Sequence, residues 1–202
     1  MRWGGLVLCG GRSERMGEDK ARLPFGPETM LQRMLRLLRE GLGHVPLAVA
    51  AAPGQQLPLL PPEVLVTEDE MTGCGPIEGL YRGLSLLSKY CDAAVVVSCD
   101  IPLLVPEVLG LLQQALNDSD AAVVGEPDGR LHPLCGVWRI TVLEELAVMR
   151  ANSERRLQTA LARVRTVVLP AAELKTVDPE LRSLWNVNDW ESYQAAKGRE
   201  HE

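Results

Sequence analysis

Long apolar runs are missing from this 202-residue chain. No stretch approaches the roughly 18 apolar residues that a membrane span needs, so we expect no contact with a membrane. The first residues run directly into the strand-like segment Leu6–Leu8, without the longer apolar core and small-residue cleavage site of a signal peptide. We therefore expect a soluble, cytoplasmic protein with a single domain over residues 1–202.

Paired cysteines are missing as well. The chain has five, an odd number, and no two form a C-x-x-C pair. This disfavours a disulfide framework and a zinc site built on thiolates. The remaining interpretation is a set of small, buried thiols in a reducing compartment.

The chain also lacks an excess of positive charge, with a formal net charge of −6. General binding along nucleic acid depends on many contacts of Lys and Arg with phosphates, so we expect no nucleic-acid partner. The charge is uneven, however. Residues 1–39 carry eight basic and four acidic side chains, a balance of +4, and the other 163 residues sum to −10. The basic end leaves room for a small phosphorylated ligand.

Short runs rich in Val, Leu and Ala alternate with segments of helical period. Strands are predicted at Leu6–Leu8, Pro46–Ala51, Val64–Val66, Ala93–Ser98, Ala121–Val124, Leu134–Trp138 and Thr166–Leu169. Helices are predicted at Thr29–Glu40, from Pro76 to Lys89, after Pro106 and from a capping box at Thr141. The alternation indicates a three-layer α/β fold with a mainly parallel sheet. The turn-rich segment Gly125–Arg130 predicts at least one antiparallel strand.

A glycine-rich loop follows the first strand and reads Cys9-Gly10-Gly11-Arg12-Ser13-Glu14-Arg15-Met16-Gly17-Glu18-Asp19-Lys20. Ligands of α/β folds bind at the carboxyl ends of the strands, where paired glycines let backbone N–H groups approach phosphate oxygens. Arg15 and Lys20 add positive charge. The spacing matches neither G-x-x-x-x-G-K-[ST] nor G-x-G-x-x-G. Taken alone, the loop is equally compatible with a solvated glycine turn.

Asp100 ends the apolar run Ala93–Val97 and precedes Pro102. A carboxylate at the tip of a buried strand needs a partner, because an isolated buried charge is costly. By itself the pattern favours a helix cap, with a bound cation as the alternative. Mg²⁺ needs only one or two protein carboxylates beside water and phosphate, so Asp100 with Asn186 or Asn188 is an adequate set of ligands.

Five motifs occur in the order found in one family. They are Leu8–Lys20, Glu68-Asp69 with Gly75–Leu80, Ser98–Pro102, His132–Leu134 and Asn186–Asn188. Together they span about 180 residues. Five motifs in a fixed order are far more specific than a single short motif. The sequence resembles the molybdenum cofactor guanylyltransferases, and the resemblance implies a Rossmann-like nucleotidyltransferase fold. The implied reaction transfers GMP from GTP to molybdopterin and releases pyrophosphate.

The resemblance also assigns roles. Leu8, Cys9, Gly10 and Gly11 would hold the nucleotide, with Lys20 at its phosphates and Asp69 at the base or ribose. Asp100 would bind Mg²⁺, and Lys20, Asp100 and Arg15 would be the catalytic residues, with Asn186 and Asn188 supporting the metal or the acceptor. Transient contact with proteins that make or accept the cofactor is implied too.

Two positions depart from the family pattern. Cys9 stands where the family usually has Ala. One family member has Asn after its second strand, whereas this chain has only Ala50, Ala51 and Ala52 there. A nucleotide contact is therefore missing from the pattern, and base preference stays open. Related enzymes that use CTP or a sugar phosphate are one alternative, although Gly10-Gly11 favours the guanylyl branch. A catalytically silent nucleotide-binding module is another.

Other basic residues near the predicted site have two interpretations each. His132 either lines the acceptor site or is a hydrogen-bonded structural residue. The pair Arg155-Arg156, with Arg163 and Arg165 nearby in sequence, either contacts an anionic acceptor or forms a solvated helix face.

Overall fold

The structure, a computed structural model, describes residues 1–10, 17–70 and 75–199. The strands in these ranges are β1 (Trp3–Leu8), β2 (Pro24–Phe25), β3 (Glu28–Thr29), β4 (Leu47–Ala51), β5 (Leu65–Glu68), β6 (Ala93–Ser98), β7 (Ala121–Gly125), β8 (Leu131–Arg139) and β9 (Thr166–Pro170). The α-helices are α1 (Met30–Leu42), α2 (Pro76–Leu87), α3 (Glu107–Ala115), α4 (Leu143–Ala151), α5 (Leu157–Arg163), α6 (Ala171–Leu174) and α7 (Trp190–Gly198). Short 3₁₀ turns occupy Lys20–Arg22, Ile140–Val142 and Arg182–Leu184.

Seven strands of the described chain form one sheet in the order β5-β4-β1-β6-β8-β7-β9, and β2 pairs with β3 separately. β1 lies parallel to β4 and to β6, whereas β8 runs antiparallel to both of its neighbours, β6 and β7. The prediction of a mainly parallel sheet with an antiparallel strand is therefore confirmed. The turn-rich segment at Gly125–Arg130 is the connection that reverses the chain.

Apolar side chains cover both faces of the sheet, as the unbroken apolar strands predicted. In β6, Ala93, Val95 and Val97 join the buried cluster that includes α1 and α3. Ala94 and Val96 join the opposite cluster, which includes α2, α4 and α5. Because successive strand residues point to opposite faces, one apolar run supplies two cores. This is the three-layer arrangement.

Local sequence sets the start of α1 but not that of α4. The side chain of Thr29 accepts from the backbone N–H of Gln32. The side chain of Gln32 accepts in turn from the backbone N–H of Thr29, which completes a capping box at the start of α1. The capping box predicted at Thr141 is wrong. Thr141 lies within a 3₁₀ turn, and Val142 precedes α4 without a side-chain cap. The 3₁₀ turn leads directly into the helix, so Thr141 is not at a helix start.

The order of the strands indicates which edge of the sheet carries the candidate site. After β1 the chain builds β4 and β5 on one side and then returns to β6 on the other, so the order reverses at β1. Open α/β sheets bind ligands at such a reversal, beyond the carboxyl ends of the strands. Because β8 runs the opposite way, its first residues lie at this same edge. Within the described ranges, no helix has the length and apolar character needed to cross a membrane.

Candidate active site

The ends of β1 and β4 are held together by backbone hydrogen bonds. The N–H groups of Cys9 and Gly10 donate to the Ala50 carbonyl at 2.9 and 3.3 Å. A Cβ on Gly10 would lie 3.1 Å from the Ala52 nitrogen, so a larger residue would push the two strand ends apart. Leu8, Cys9 and Gly10 thus form the described start of the glycine-rich loop. The predicted site residues Gly11 and Arg15 lie outside the described residues.

Lys20 joins the loop to the far end of the chain. Its Nζ donates to the Val187 carbonyl at 2.6 Å and to Asn188 Oδ1 at 3.2 Å. It also lies 3.9 Å from Asp100 Oδ2. Its side chain is only 18% exposed, which limits solvent screening of the ammonium charge. The structure thereby brings together two of the predicted catalytic residues, Lys20 and Asp100.

Asp100 is hydrogen-bonded to Ser98 and Val187. Its Oδ1 accepts from the Ser98 hydroxyl, and its carbonyl accepts from the Val187 N–H at 2.7 Å. Asn186 lines the same cavity as Asp100 and donates its amide N–H to the Leu184 carbonyl, while its Oδ1 forms no hydrogen bond within the described ranges. The site therefore offers a carboxylate, a hydroxyl and an amide oxygen.

These donors fit a hard cation such as Mg²⁺, which binds oxygen and keeps several sites for water and phosphate. Over the described part of the chain, no group of three or more His, Cys, Asp or Glu residues could hold a metal ion by itself. A cation at Asp100 would therefore take its other ligands from amide or hydroxyl oxygens, from water or from a bound phosphate. Asn188 is less available than Asn186, because its Oδ1 accepts from Lys20.

Asp69 lies apart from Asp100, just beyond β5. Its N–H donates to the Ala51 carbonyl at 2.9 Å, whereas its Oδ1 is buried without a hydrogen-bond partner among the described residues. Burial, and then the nearby charge of Glu78, raise the pKa of this carboxyl to about 6. A buried carboxylate oxygen without a partner is uncommon, and at this edge of the sheet it is available to accept a hydrogen bond from a ligand.

A buried ion pair beside Asp69 was not predicted from the sequence. Glu78, in α2, is only 1% exposed, and its Oε1 accepts from Arg150 Nη2 at 2.9 Å. Arg150 also lies over the Tyr81 ring, 4.1 Å from its centroid. This pair ties α2 to α4 and places a negative charge near Asp69. Neither a motif nor helical periodicity could have indicated it, because the partners are 72 positions apart.

A cavity of about 640 Å³ adjoins Asp100 on the β8 side. Its polar lining includes Asp100, Asn186, Asn188, Arg130, His132, Arg155 and Arg156. Arg155 and Arg156 are exposed, and neither guanidinium forms an ion pair with any described residue. Two more distant arginines are separated from this pair, since Arg163 binds Glu145 at 2.8 Å and Arg165 binds Asp120 at 3.1 Å.

His132 is hydrogen-bonded and also lines the cavity. It lines the cavity, and its Nε2 lies 2.6 Å from Glu126 Oε1 within the β7–β8 connection. It enters the site because β8 is antiparallel, so that its second residue lies where β6 ends.

The thiol of Cys9 is buried at the loop. Its Sγ donates to the Ala50 carbonyl at 3.4 Å, and burial, with smaller contributions from Asp19 and Asp69, raises its pKa to about 12. Such a thiol is not a nucleophile at neutral pH. Cys91, Cys99 and Cys135 are also free and buried, which confirms the interpretation as buried thiols for the described cysteines.

Residues 5–167 match the family described as the MobA-like NTP transferase domain. The chain belongs to this family. A probable molybdenum cofactor guanylyltransferase of Mycobacterium tuberculosis is 36% identical to this MobA-like transferase over 187 residues, which are 91% of this chain and 88% of the relative. The resemblance noted in the sequence is thereby confirmed, and the chain is a nucleotidyltransferase.

Solved structures share the fold of this MobA-like transferase. Molybdopterin-guanine dinucleotide biosynthesis protein A from Archaeoglobus fulgidus superposes with a TM-score of 0.76, at 21% identity over 97% of each chain. A Mycobacterium tuberculosis protein solved in complex with manganese has a TM-score of 0.66, at 20% identity over 98% of this chain and 99% of the other. At these identities the likeness establishes the Rossmann-like fold.

Proposed function

We propose that this protein transfers GMP from GTP to molybdopterin, forming the guanine dinucleotide of the cofactor and releasing pyrophosphate. The observation that carries the proposal is the closeness of Lys20 to Asp100, which lines a cavity that Arg155 and Arg156 also line. The choice of GTP and molybdopterin is supported by the relative that is 36% identical and named for that activity.

The nucleotide would lie across the ends of β1, β4 and β5. Leu8, Cys9 and Gly10 would hold the nucleotide through their backbone. Gly11 and the loop beyond it would bring N–H groups to the phosphates, and Arg15 would add positive charge there. Lys20 would contact the phosphates from the opposite side. Asp69 would use its orphaned Oδ1 to accept from the base or ribose, since a buried acceptor gains most from a donor that the ligand supplies.

The acceptor would occupy the cavity beside Asp100. Its terminal phosphate would be held by Arg155 and Arg156, because exposed guanidinium groups bind phosphate through charge-assisted hydrogen bonds. A phosphate oxygen of the acceptor then attacks the α-phosphorus, and the bond from that phosphorus to the bridging oxygen of the β-phosphate breaks. The nucleophile is already ionised, so the protein supplies position and charge rather than a general base.

Asp100, with Asn186 or Asn188, would hold Mg²⁺. When bound, the ion would neutralise charge on the phosphate oxygens. The oxygen donors around Asp100 and the fold neighbour solved with manganese support this assignment. The chain's own contribution is to hold the Asp100 carboxylate through Ser98 and to keep Lys20 within reach of it.

We assign the reaction to the cytoplasm within a single domain over residues 1–202, in transient contact with proteins that make or accept the cofactor. The free, buried thiols of the described cysteines support a reducing compartment.

Measuring pyrophosphate release tests the proposal. The protein is incubated with molybdopterin, MgCl₂ and each of GTP, CTP, ATP and UTP, and the dinucleotide product is identified by mass spectrometry. We expect release with GTP that depends on both molybdopterin and Mg²⁺. A preference for CTP would replace the guanylyl assignment with a cytidylyl one. Nucleotide binding without any turnover would indicate a silent binding module.

A further inference from the structure

Gln55 forms a hydrogen-bonded junction at the base of the glycine-rich loop. It follows β4 in the segment Ala52-Pro53-Gly54-Gln55, where the Gln55 N–H donates to the Ala52 carbonyl at 3.0 Å and Gly54 has a φ of 67°. Proline at the second position and glycine with positive φ at the third are typical of a type II turn. The turn directs the chain back toward β1.

The Gln55 side chain contacts three separate segments. Its Nε2 donates to the Cys9 carbonyl at 3.2 Å and to both carboxylate oxygens of Asp19 at 2.9 Å. Its Oε1 accepts from the Ala52 N–H at 2.9 Å and lies 3.8 Å from the Cys9 Sγ. Both ends of the amide are therefore in use, and the contacts fix which end is nitrogen.

These partners flank the proposed phosphate-binding residues. Cys9 directly precedes Gly10, and Asp19 directly precedes Lys20. Asp19 also accepts from the Ala21 N–H at 2.9 Å and so caps the 3₁₀ turn that begins at Lys20. The amide of Gln55 thus couples the first residue of the loop to the turn that carries its lysine.

We infer that Gln55 is a positioning residue for the triphosphate. Gln55 sets the separation between the loop backbone at Gly10 and the ammonium group of Lys20. The inference rests on the proposed function only in that a nucleoside triphosphate binds this loop. It gives the segment after β4 a role in nucleotide binding, although this chain lacks the Asn that one family member has there. Gln55 acts there through Cys9 and Asp19.

A carboxylate cannot replace this amide. In Gln55→Glu, an oxygen would take the place of Nε2 and face the Cys9 carbonyl and the Asp19 carboxylate. The two carboxylates repel at hydrogen-bond distance, and the bonds donated to Cys9 and Asp19 are lost. When Gln55→Glu is combined with Asp19→Asn, the new amide at position 19 can donate to the introduced carboxylate while its oxygen still caps Ala21. The pair therefore offers a rescue that depends on this one contact.

The experiment measures nucleotide affinity and steady-state kinetics for Gln55→Ala, Gln55→Glu and the double variant. Gln56→Ala is the matched control, because it removes the same side chain at the next position, which is exposed and whose Oε1 accepts only one long bond among the described residues, from Arg22 at 3.5 Å. We expect Gln55→Ala to raise Kd and KM for the nucleotide about tenfold with kcat changed less than about threefold, and Gln55→Glu to raise them further. The double variant should recover part of the loss, and Gln56→Ala should match the unmodified protein.

Gln55→Ala adds no charge and keeps the test informative if Gln55→Glu fails to fold, which a melting curve reveals. Unchanged Kd and KM in Gln55→Ala would overturn the inference, as would a folded double variant that binds no better than Gln55→Glu. If the unmodified protein binds CTP rather than GTP, the guanylyl proposal fails, and the same variants measured with CTP still decide the role of Gln55. Binding of none of the four nucleotides would overturn both.

Discussion

The two sides of the ligand edge are built differently. On the side of β1 and β4, polar groups already contact one another, as Gln55 does with Asp19 and Lys20 with Asn188. On the side of β8, the edge opens into a cavity of about 640 Å³, where Arg155 and Arg156 are exposed and form no ion pair with a described residue.

The contrast suggests two modes of binding. Groups held in place before a ligand arrives lose little freedom on binding and favour a defined geometry. Exposed charges around a wide cavity attract an anion with less restraint, and salt screens them more effectively. Under the proposed function, we expect the nucleotide side to control nucleotide binding and turnover, and the acceptor side to control affinity for the acceptor.

The largest expected effect follows from removing the Lys20 ammonium group on the nucleotide side. Lys20→Ala should lower kcat/KM by about 10²–10³-fold, as loss of one group that stabilises the developing charge does in other enzymes. Pyrophosphate release under saturating MgCl₂ measures it, with the exposed Lys175→Ala as control. Full turnover by a folded Lys20→Ala protein would contradict the assignment of this side to catalysis.

A smaller effect is expected on the acceptor side. Arg156→Ala should raise KM for molybdopterin about tenfold and leave nucleotide Kd unchanged, because one charge-assisted contact with phosphate is lost. The KM of the unmodified enzyme should also rise with salt more steeply than that of the variant. Arg163→Ala is the control, since Arg163 is paired with Glu145 away from the cavity. Equal changes in the two variants would remove the distinction between the sides.

The smallest effect concerns stability. Asp69 has a pKa of about 6 in the folded protein against an ordinary value of 3.8, so the folded state holds its proton more tightly and ionisation opposes folding. This contribution lowers the free energy of unfolding as pH rises from 3.8 to about 6, and the loss persists above that pH.

Asp69→Asn removes this penalty. At pH 7 we expect roughly 1 kcal/mol of added stability after allowance for solvent screening, which raises Tm by about 2–4 °C, together with weaker nucleotide binding. The gain in Tm should vanish near the ordinary pKa of 3.8. Melting curves across this range, with the exposed Asp118→Asn as control, test whether the ionised Asp69 carboxylate destabilises the fold in the absence of a ligand. A gain independent of pH would contradict this origin.

The sequence predicted more of the fold than of the site. All seven predicted strands belong to the main sheet, and the predicted helix at Thr29–Glu40 corresponds to α1. Such elements depend on apolar periodicity and on caps formed between near neighbours. The prediction at Thr141 failed because a 3₁₀ turn precedes α4.

Within the site, the sequence alone placed Gly10, Lys20 and Asp100 at strand ends or in the loop between elements. It could not determine that Lys20 contacts Asn188, 168 positions away, or that Gln55 joins Cys9 to Asp19. Nor could it place His132, whose position depends on the reversed direction of β8. Local patterns fix each element, whereas the order and direction of the strands determine which element ends meet. The chemistry of this protein is located at those meeting points.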